Sequence, residues 1–307
     1  MTYFALILAL LAEQLRPLPV LRVVALLRRF VARVARRFDD GSAQGGRVAW
    51  WLVVPGGALG SLAAFYLLWA VSPLLAFVFN VGVLYLSMGF RHSGHCFTEI
   101  HLALSIGNID RARAMLGQWR GGDYSHASSG EVARLAIEQS LLGAHRSVFG
   151  VVFWFVLLPG PCGAVMYRLA CFLADEWGRR AGGQDDRFGE FARRAFEVID
   201  WLPVRLTAIA FSVIGNFEDA IYCWRAQSML WPHKASGILI ASGAGALGVR
   251  LGMPVHESGR VIERPEMGVG GKADPAYMQG AAKLVWRVLV LYLLLLTLIG
   301  IAGWVGR

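Results

Sequence analysis

Six charged residues set among membrane-grade apolar segments carry the chemistry this sequence offers. Glu131, Arg134 and Glu138 recur at i, i+3 and i+7, a spacing that brings three side chains to one face of a helix. An arginine between two carboxylates can pair with either in a structural network. It could also bind phosphate, and the two carboxylates a divalent ion. Arg168 lies inside the apolar block 162–174, where a guanidinium needs a carboxylate, a lipid phosphate or room to reach the interface. Asp200, Glu131 and Glu138 are its candidate partners. Asp200 and Arg205 stand five apart around Pro203, beyond the usual helical i, i+4 pair, so a kink would have to bring them together. The expectation is that Arg134, Arg168, Arg205, Glu131, Glu138 and Asp200 line a cytoplasm-accessible cavity. It would take an anionic or phosphorylated ligand, or the surface of a protein partner. No residue is assigned a catalytic role.

Other clusters are weaker. His92, His95 and Glu99 could share a helix face and offer zinc ligands, but the order is not His-Glu-x-x-His and Gly94 weakens the helix, so solvated or interfacial histidines are the preferred reading. Asp175, Glu176, Asp185 and Asp186 suit magnesium or a solvated loop equally well. No metal site is expected. Cys96, Cys162, Cys171 and Cys223 form no Cys-x-x-Cys pair and read as small buried hydrophobes. Gly243, Gly245 and Gly248 lack the Lys-Ser/Thr ending of a phosphate loop, and so read as helix-packing positions.

The elements that must position these residues belong to an all-α polytopic membrane protein with short or broken transmembrane helices and a cytoplasmic helical insertion. Of the 307 residues, 56% are hydrophobic and 17% charged, a balance foreign to a soluble globule. Arginine supplies nearly all of the +9 net charge. Its clusters flank apolar runs without an aromatic-basic surface pattern, which points to orientation and membrane lipids and away from nucleic acid. The N-terminus lacks the basic start and small-residue cleavage pattern of a signal peptide. One integral domain is expected over 1–307, in the bacterial inner (cytoplasmic) membrane and multi-pass, with self-association as one partner class.

Along that domain, 1–15 is apolar but short for a span, and Pro17 and Pro19 interrupt it. Residues 22–38 read as a basic amphipathic helix on an anionic leaflet: Val23, Leu27, Phe30, Val34 and Phe38 face the lipid, and Arg22, Arg29, Arg33 and Arg36 oppose them. Spans at 48–70 and 73–88 form a hairpin after a turn at 39–46, and arginines on both flanks place those flanks in the cytoplasm. The insertion runs over 91–147, with Ser129 available as a helix cap. Residues 148–174 split at Pro159-Gly-Pro161 into two half-length helices returning to one side. Apolar elements follow at 201–215 and 238–249. Polar loops fill 175–200 and 251–283, and 284–305 is the last span.

Five stretches, in this order, resemble the superfamily that contains AmpE and the adenosylcobinamide-phosphate synthases CobD and CbiB. They are Leu84-Tyr-Leu-Ser-Met-Gly-Phe-Arg91, residues 131–138, Val152-Phe-Trp-Phe155, Val198-Ile-Asp-Trp-Leu-Pro-Val-Arg-Leu-Thr207 and Gly245-Ala-Leu-Gly-Val-Arg-Leu-Gly252. The resemblance places the family's Pro-x-Arg-Leu-Thr element on Pro203, Arg205, Leu206 and Thr207, and its acidic turn and helix carboxylate on Asp200 and Glu138. The synthase branch implies attachment of an aminopropanol-type group to adenosylcobyric acid, with ATP and Mg2+ as cofactors. The chain departs from that branch where Glu13-Gln-Leu-Arg16-Pro17 replaces an acidic Gly-Asp-Pro, and where Leu141-Leu-Gly143 replaces Ala-Glu-Asn. The leading expectation is therefore an AmpE-like inner-membrane regulator of cell-wall recycling and β-lactamase induction. The synthase comes second, and a lipid or ligand transporter third.

Overall fold

A computed structural model describes residues 2–15, 20–38, 43–180 and 188–305. Pro17, Pro19, the start of the 39–46 turn, Asp185 and Asp186 lie outside the described residues, as do the side chains of Arg22, Val23 and His92. The helices are α1 (Thr2–Leu15), α2 (Val20–Phe38), α3 (Ala43–Val71), α4 (Pro73–Ser87), α5 (Phe90–Ser105), α6 (Ile109–Arg120) and α7 (Ser129–Ala144). A π-helical turn, His145–Phe149, leads into α8 (Gly150–Leu157), then α9 (Cys162–Arg180), α10 (Phe188–Ile199), α11 (Trp201–Ile214), α12 (Phe217–Gln227), α13 (Lys234–Leu247) and α14 (Pro275–Val305).

The chain is an all-α polytopic membrane protein with a small β excursion. Among the described residues, three helical stretches are long and apolar enough to cross a membrane: Gln44–Val71, Ser129–Leu157 and Pro275–Gly303. The middle one differs in kind, since 56% of its most apolar window is buried against 17% and 22% for the other two. It starts inside the 91–147 segment expected to be a cytoplasmic helical insertion, because α7, the π turn and α8 run on as one stretch.

The chain divides into two compact units, each made of two separate segments. In the first (1–89 with 146–201), α3 packs on α9, α10, α4 and α2. Pro55 sits within α3 without ending it. The expected break at Pro159-Gly-Pro161 is present, and α8 folds back on α9. Gly163 makes that return close: a Cβ there would run into the Trp154 carbonyl. The buried stripe of α2 among the described residues is Val31 and Ala35, and Phe30, expected on the lipid-facing side, is 49% exposed. The stripe follows the helix packed on α3, so it is set by small residues rather than by the largest ones.

In the second unit (90–145 with 202–307), α7 lies against α5, α6, α13 and α14. Gly248 closes α13 in the left-handed conformation, as C-terminal glycines commonly do. The chain then enters β1 (Val249–Gly252), β2 (Val255–Glu257), β3 (Arg260–Ile262), β4 (Glu266–Met267) and β5 (Gly271–Lys272). β1 pairs antiparallel with β4 and parallel with β5, and β2 and β3 form a hairpin. The segment expected to be a polar loop over 251–283 is thus a compact strand cluster followed by the start of α14.

Candidate functional site

The face Glu131–Arg134–Glu138 forms as its spacing predicts, but its hydrogen-bonding partners lie on the strand segment and at the helix start. Ser128, not Ser129, caps α7: its hydroxyl accepts from the Glu131 N–H at 3.3 Å, and Glu131 Oε2 accepts from the Ser128 N–H at 2.6 Å. This reciprocal capping box satisfies two free helix-end donors. Glu131 Oε1 accepts from the His256 N–H at 3.2 Å and lies 2.9 Å from His256 Nδ1. Arg134 is 7% exposed and donates Nη2 to the Pro254 carbonyl at 2.6 Å. One helix face therefore grips the chain just before β2 and within it.

Glu138 is the centre of this arrangement. It is 1% exposed and accepts from the Gly252 N–H at 2.9 Å. Arg264 Nη2 sits 2.6 Å from both of its oxygens. The Arg264 guanidinium lies 4.8 Å from the Trp231 ring centroid, an arrangement in which the cation meets the negative face of the π-system. Arg120, the last residue of α6, brings Nη1 to 3.8 Å from Glu138 Oε2. Gly252 has φ +71, and a Cβ there would collide with the Pro265 carbonyl, so only glycine delivers this N–H to the carboxylate.

Arg264 and Arg120 were not among the residues expected at the site. Arg264 is 126 positions from Glu138 in sequence, on a segment too short and irregular to show a period. The one signal for this region was the Gly245 to Gly252 run, whose last residue contacts Glu138.

The remaining expected residues are placed as follows. Asp200 belongs to the first unit, 2% exposed, and accepts from the Tyr167 hydroxyl at 2.9 Å. Arg168, half-buried on α9 in that unit, has its guanidinium beside Gly89. Arg205 belongs to the second unit and is half-buried on α11. Two residues after it, Thr207 is fully buried with its hydroxyl 2.9 Å from His145 Nδ1 and 3.5 Å from the Tyr292 hydroxyl. In the Pro203–Thr207 element it is thus the threonine that is fully enclosed. The π-helical turn begins at His145, and such turns often mark functional positions in helices. Glu99 pairs with Arg111 at 3.0 Å and Asp175 with Arg146 at 3.3 Å. Among the described residues no three His, Cys, Asp or Glu side chains group as metal ligands.

The protein-family model for CobD/Cbib protein matches residues 2–285. A cobalamin biosynthesis protein CobD of Stutzerimonas stutzeri is 33% identical over 302 residues, covering 96% of this chain and 94% of the relative. A CobD of Chromobacterium violaceum is 35% identical over 221 residues, covering 71% of this chain and 70% of its own. The cobalamin biosynthesis protein CbiB of Salmonella typhimurium is 26% identical over 269 residues, covering 82% and 81%. No solved structure matches. These similarities overturn the expectation of an AmpE-like regulator of cell-wall recycling. That expectation gave weight to Glu13-Gln-Leu-Arg16-Pro17 and Leu141-Leu-Gly143, where the chain departs from the synthase branch. The last of the five resembling stretches, Gly245 to Gly252, is the one that closes on Glu138.

Proposed function

Because this chain belongs to the CobD/CbiB family, we propose that it is a membrane synthase of cobalamin assembly, forming the amide between an aminopropanol-type amine and adenosylcobyric acid. The observation that carries this reading is the Gly252–Glu138–Arg264 contact. It joins the last of the resembling stretches, Gly245 to Gly252, to the helix carboxylate that the resemblance marks. In the net reaction the amine nitrogen forms a bond to the substrate carboxyl carbon and loses a proton, and the carboxyl C–O bond breaks, its oxygen leaving with that proton and the carboxyl proton as the equivalent of one water. The relatives' shared name, cobalamin biosynthesis protein, supports the pathway.

The resemblance also implies ATP and Mg2+. Both Glu138 oxygens face Arg264, and one also faces the Gly252 N–H, so this carboxylate fits an orienting role better than that of a magnesium ligand. A magnesium ion that keeps most of its waters and arrives on nucleotide phosphates needs few protein carboxylates. When bound, the nucleotide would supply activation of the carboxyl group. We place the protein in the bacterial inner membrane as a multi-pass chain, in keeping with its three long apolar helices, and its lipids are its first partners.

The test is reconstitution of the full-length protein in nanodiscs with adenosylcobyric acid, an aminopropanol-type amine, ATP and Mg2+. Mass spectrometry should find a product heavier than the corrinoid by the amine less one water. Absence of that product, under conditions where the Chromobacterium violaceum relative makes it, would overturn the reading.

A further inference from the structure

We propose that α2 lies flat on an anionic phospholipid leaflet, with Phe30 and its apolar neighbours in the headgroup boundary and Arg29, Arg33, Arg36 and Arg37 among the lipid phosphates. The proposal does not depend on the reaction read above.

At about 3.6 residues per turn, the described side chains of α2 fall into three sectors. Val31 and Ala35 make the first, fully buried on a helix that packs on α3. Roughly a quarter-turn away lie Leu27, Phe30 and Val34, of which Leu27 and Val34 are half-buried and Phe30 is 49% exposed. The third sector, on the side away from Val31 and Ala35, carries Arg29, Arg33 and Arg36, with Arg37 at its border with Phe30, and all four are exposed. Packing on α3 accounts for the first sector alone. A transmembrane span could not carry the third, because charge at membrane depth is costly, and a helix in water would leave the second uncovered. A helix lying at the membrane–water boundary uses all three.

Charge identifies the partner. α2 contains six arginines and no acidic residue. Arg28 pairs with Glu176 of α9 at 3.3 Å, and among the described residues no carboxylate pairs with Arg29, Arg33, Arg36 or Arg37. Four guanidiniums on one sector with an apolar sector beside them complement phosphate groups set over acyl chains. A soluble polyanion would match the cations and leave Phe30 in water.

The level of the boundary is marked independently. α3 contains one of the long apolar stretches and begins at Ala43, shortly after α2 ends at Phe38. Near that start the Arg47 guanidinium lies 6.0 Å from the Phe191 ring centroid, and Trp51 is 61% exposed. An exposed tryptophan one helical turn from an arginine is the composition of a membrane–water interface. α2 is thus tethered at the end of a span, at the depth its three sectors require.

The experiment replaces Phe30 by the fluorescent residue dansylalanine in the full-length protein, held in nanodiscs of phosphatidylcholine and phosphatidylglycerol in equal parts. Quenching is compared with a doxyl group on the acyl chain of one lipid or of the other. The same fluorophore at Leu298, 55% exposed on the long apolar helix α14, is the control. Phosphatidylglycerol is expected to quench at Phe30 with a relative affinity about fivefold or more above that of phosphatidylcholine, the factor that one arginine near an anionic surface supplies. At Leu298 the two lipids should quench alike. Combining Arg29→Gln, Arg33→Gln, Arg36→Gln and Arg37→Gln should bring the ratio at Phe30 close to one, and raised salt should lower it in the unsubstituted helix. Absence of quenching at Phe30 by either lipid would put the helix in water and overturn the proposal. A ratio near one with all four arginines present would overturn the anionic partner, as would a preference at Leu298 equal to that at Phe30, which would belong to the disc rather than to α2. Should the fourfold variant melt early, the salt series decides, and a preference that salt leaves unchanged would overturn the role of the arginines.

Discussion

At the scale of single residues, Glu138 is a carboxylate that cannot be replaced alone. Breaking a buried ion pair from one side leaves an uncompensated charge at a cost of about 3–5 kcal/mol, and Arg264 is the charge left behind. Glu138→Gln should therefore destabilise the protein by an amount in that range. Glu138→Gln combined with Arg264→Gln should cost less than the sum of the two single changes. Thermal melting of the solubilised protein through a double-mutant cycle checks this, and strict additivity would show that the contact does not couple the two residues. Gly252→Ala makes a second prediction. Its φ of +71 costs a residue with a Cβ about 1–2 kcal/mol, and the collision with the Pro265 carbonyl adds to that. The melting temperature should fall even though no charge changes. Glu138 and Arg134 were legible in the sequence because helical spacing is local. Arg264 was not, because its partner lies 126 residues away and a contact between distant segments leaves no mark on either alone.

Elements follow the same division between local and distant causes. The π turn apart, every long apolar run became a helix, and the Pro159-Gly-Pro161 break fell where the missing N–H donors require it. What local pattern could not reveal was which side of α2 would be buried, since Val31 and Ala35 are chosen by the surface of α3 rather than by their own hydrophobicity. Strands of two to four residues such as β1 and β4 are likewise too short to show alternation. Two substitutions test the local causes. Ser128→Ala removes the cap of α7 and should cost about 0.5–2 kcal/mol, whereas Ser129→Ala should cost much less; equal effects in melting experiments would reverse the assignment of the cap. Gly163→Val should open the close return of α9 on α8, with an overpacking cost of about 1–3 kcal/mol or more because the obstacle is the Trp154 backbone.

For the whole molecule, the open matter is how short and long helices share one membrane. At 1.5 Å per residue, the 29 residues of α3 reach roughly 43 Å, enough to cross a hydrocarbon core of about 30 Å with tilt to spare. The 15 residues of α4 reach roughly 22 Å and fall short of it. α4 begins abruptly, with the Ser72 hydroxyl accepting from the Leu74 N–H and Pro73 at its first position, so the turn between the two helices is tight and must sit near one membrane face. Six arginines precede α3 within 22–37, Arg47 lies near its start, and six arginines fall within 91–146 after α4. By the preference of arginine for the cytoplasm both flanks are expected on the same side and Ser72 on the other. Since α4 is too short to bring the chain back across by itself, the return must be completed by the Ser87–Phe90 segment or by local thinning of the bilayer. Single cysteines at Ser72 and Gly107, in a chain whose four native cysteines are replaced, make the test. In intact inverted and right-side-out vesicles, a membrane-impermeant maleimide should label the two positions from opposite sides. Labelling of both from the same side would mean that α3 and α4 do not form a crossing hairpin, and that the arginines on either side of them serve the leaflet surface rather than orientation.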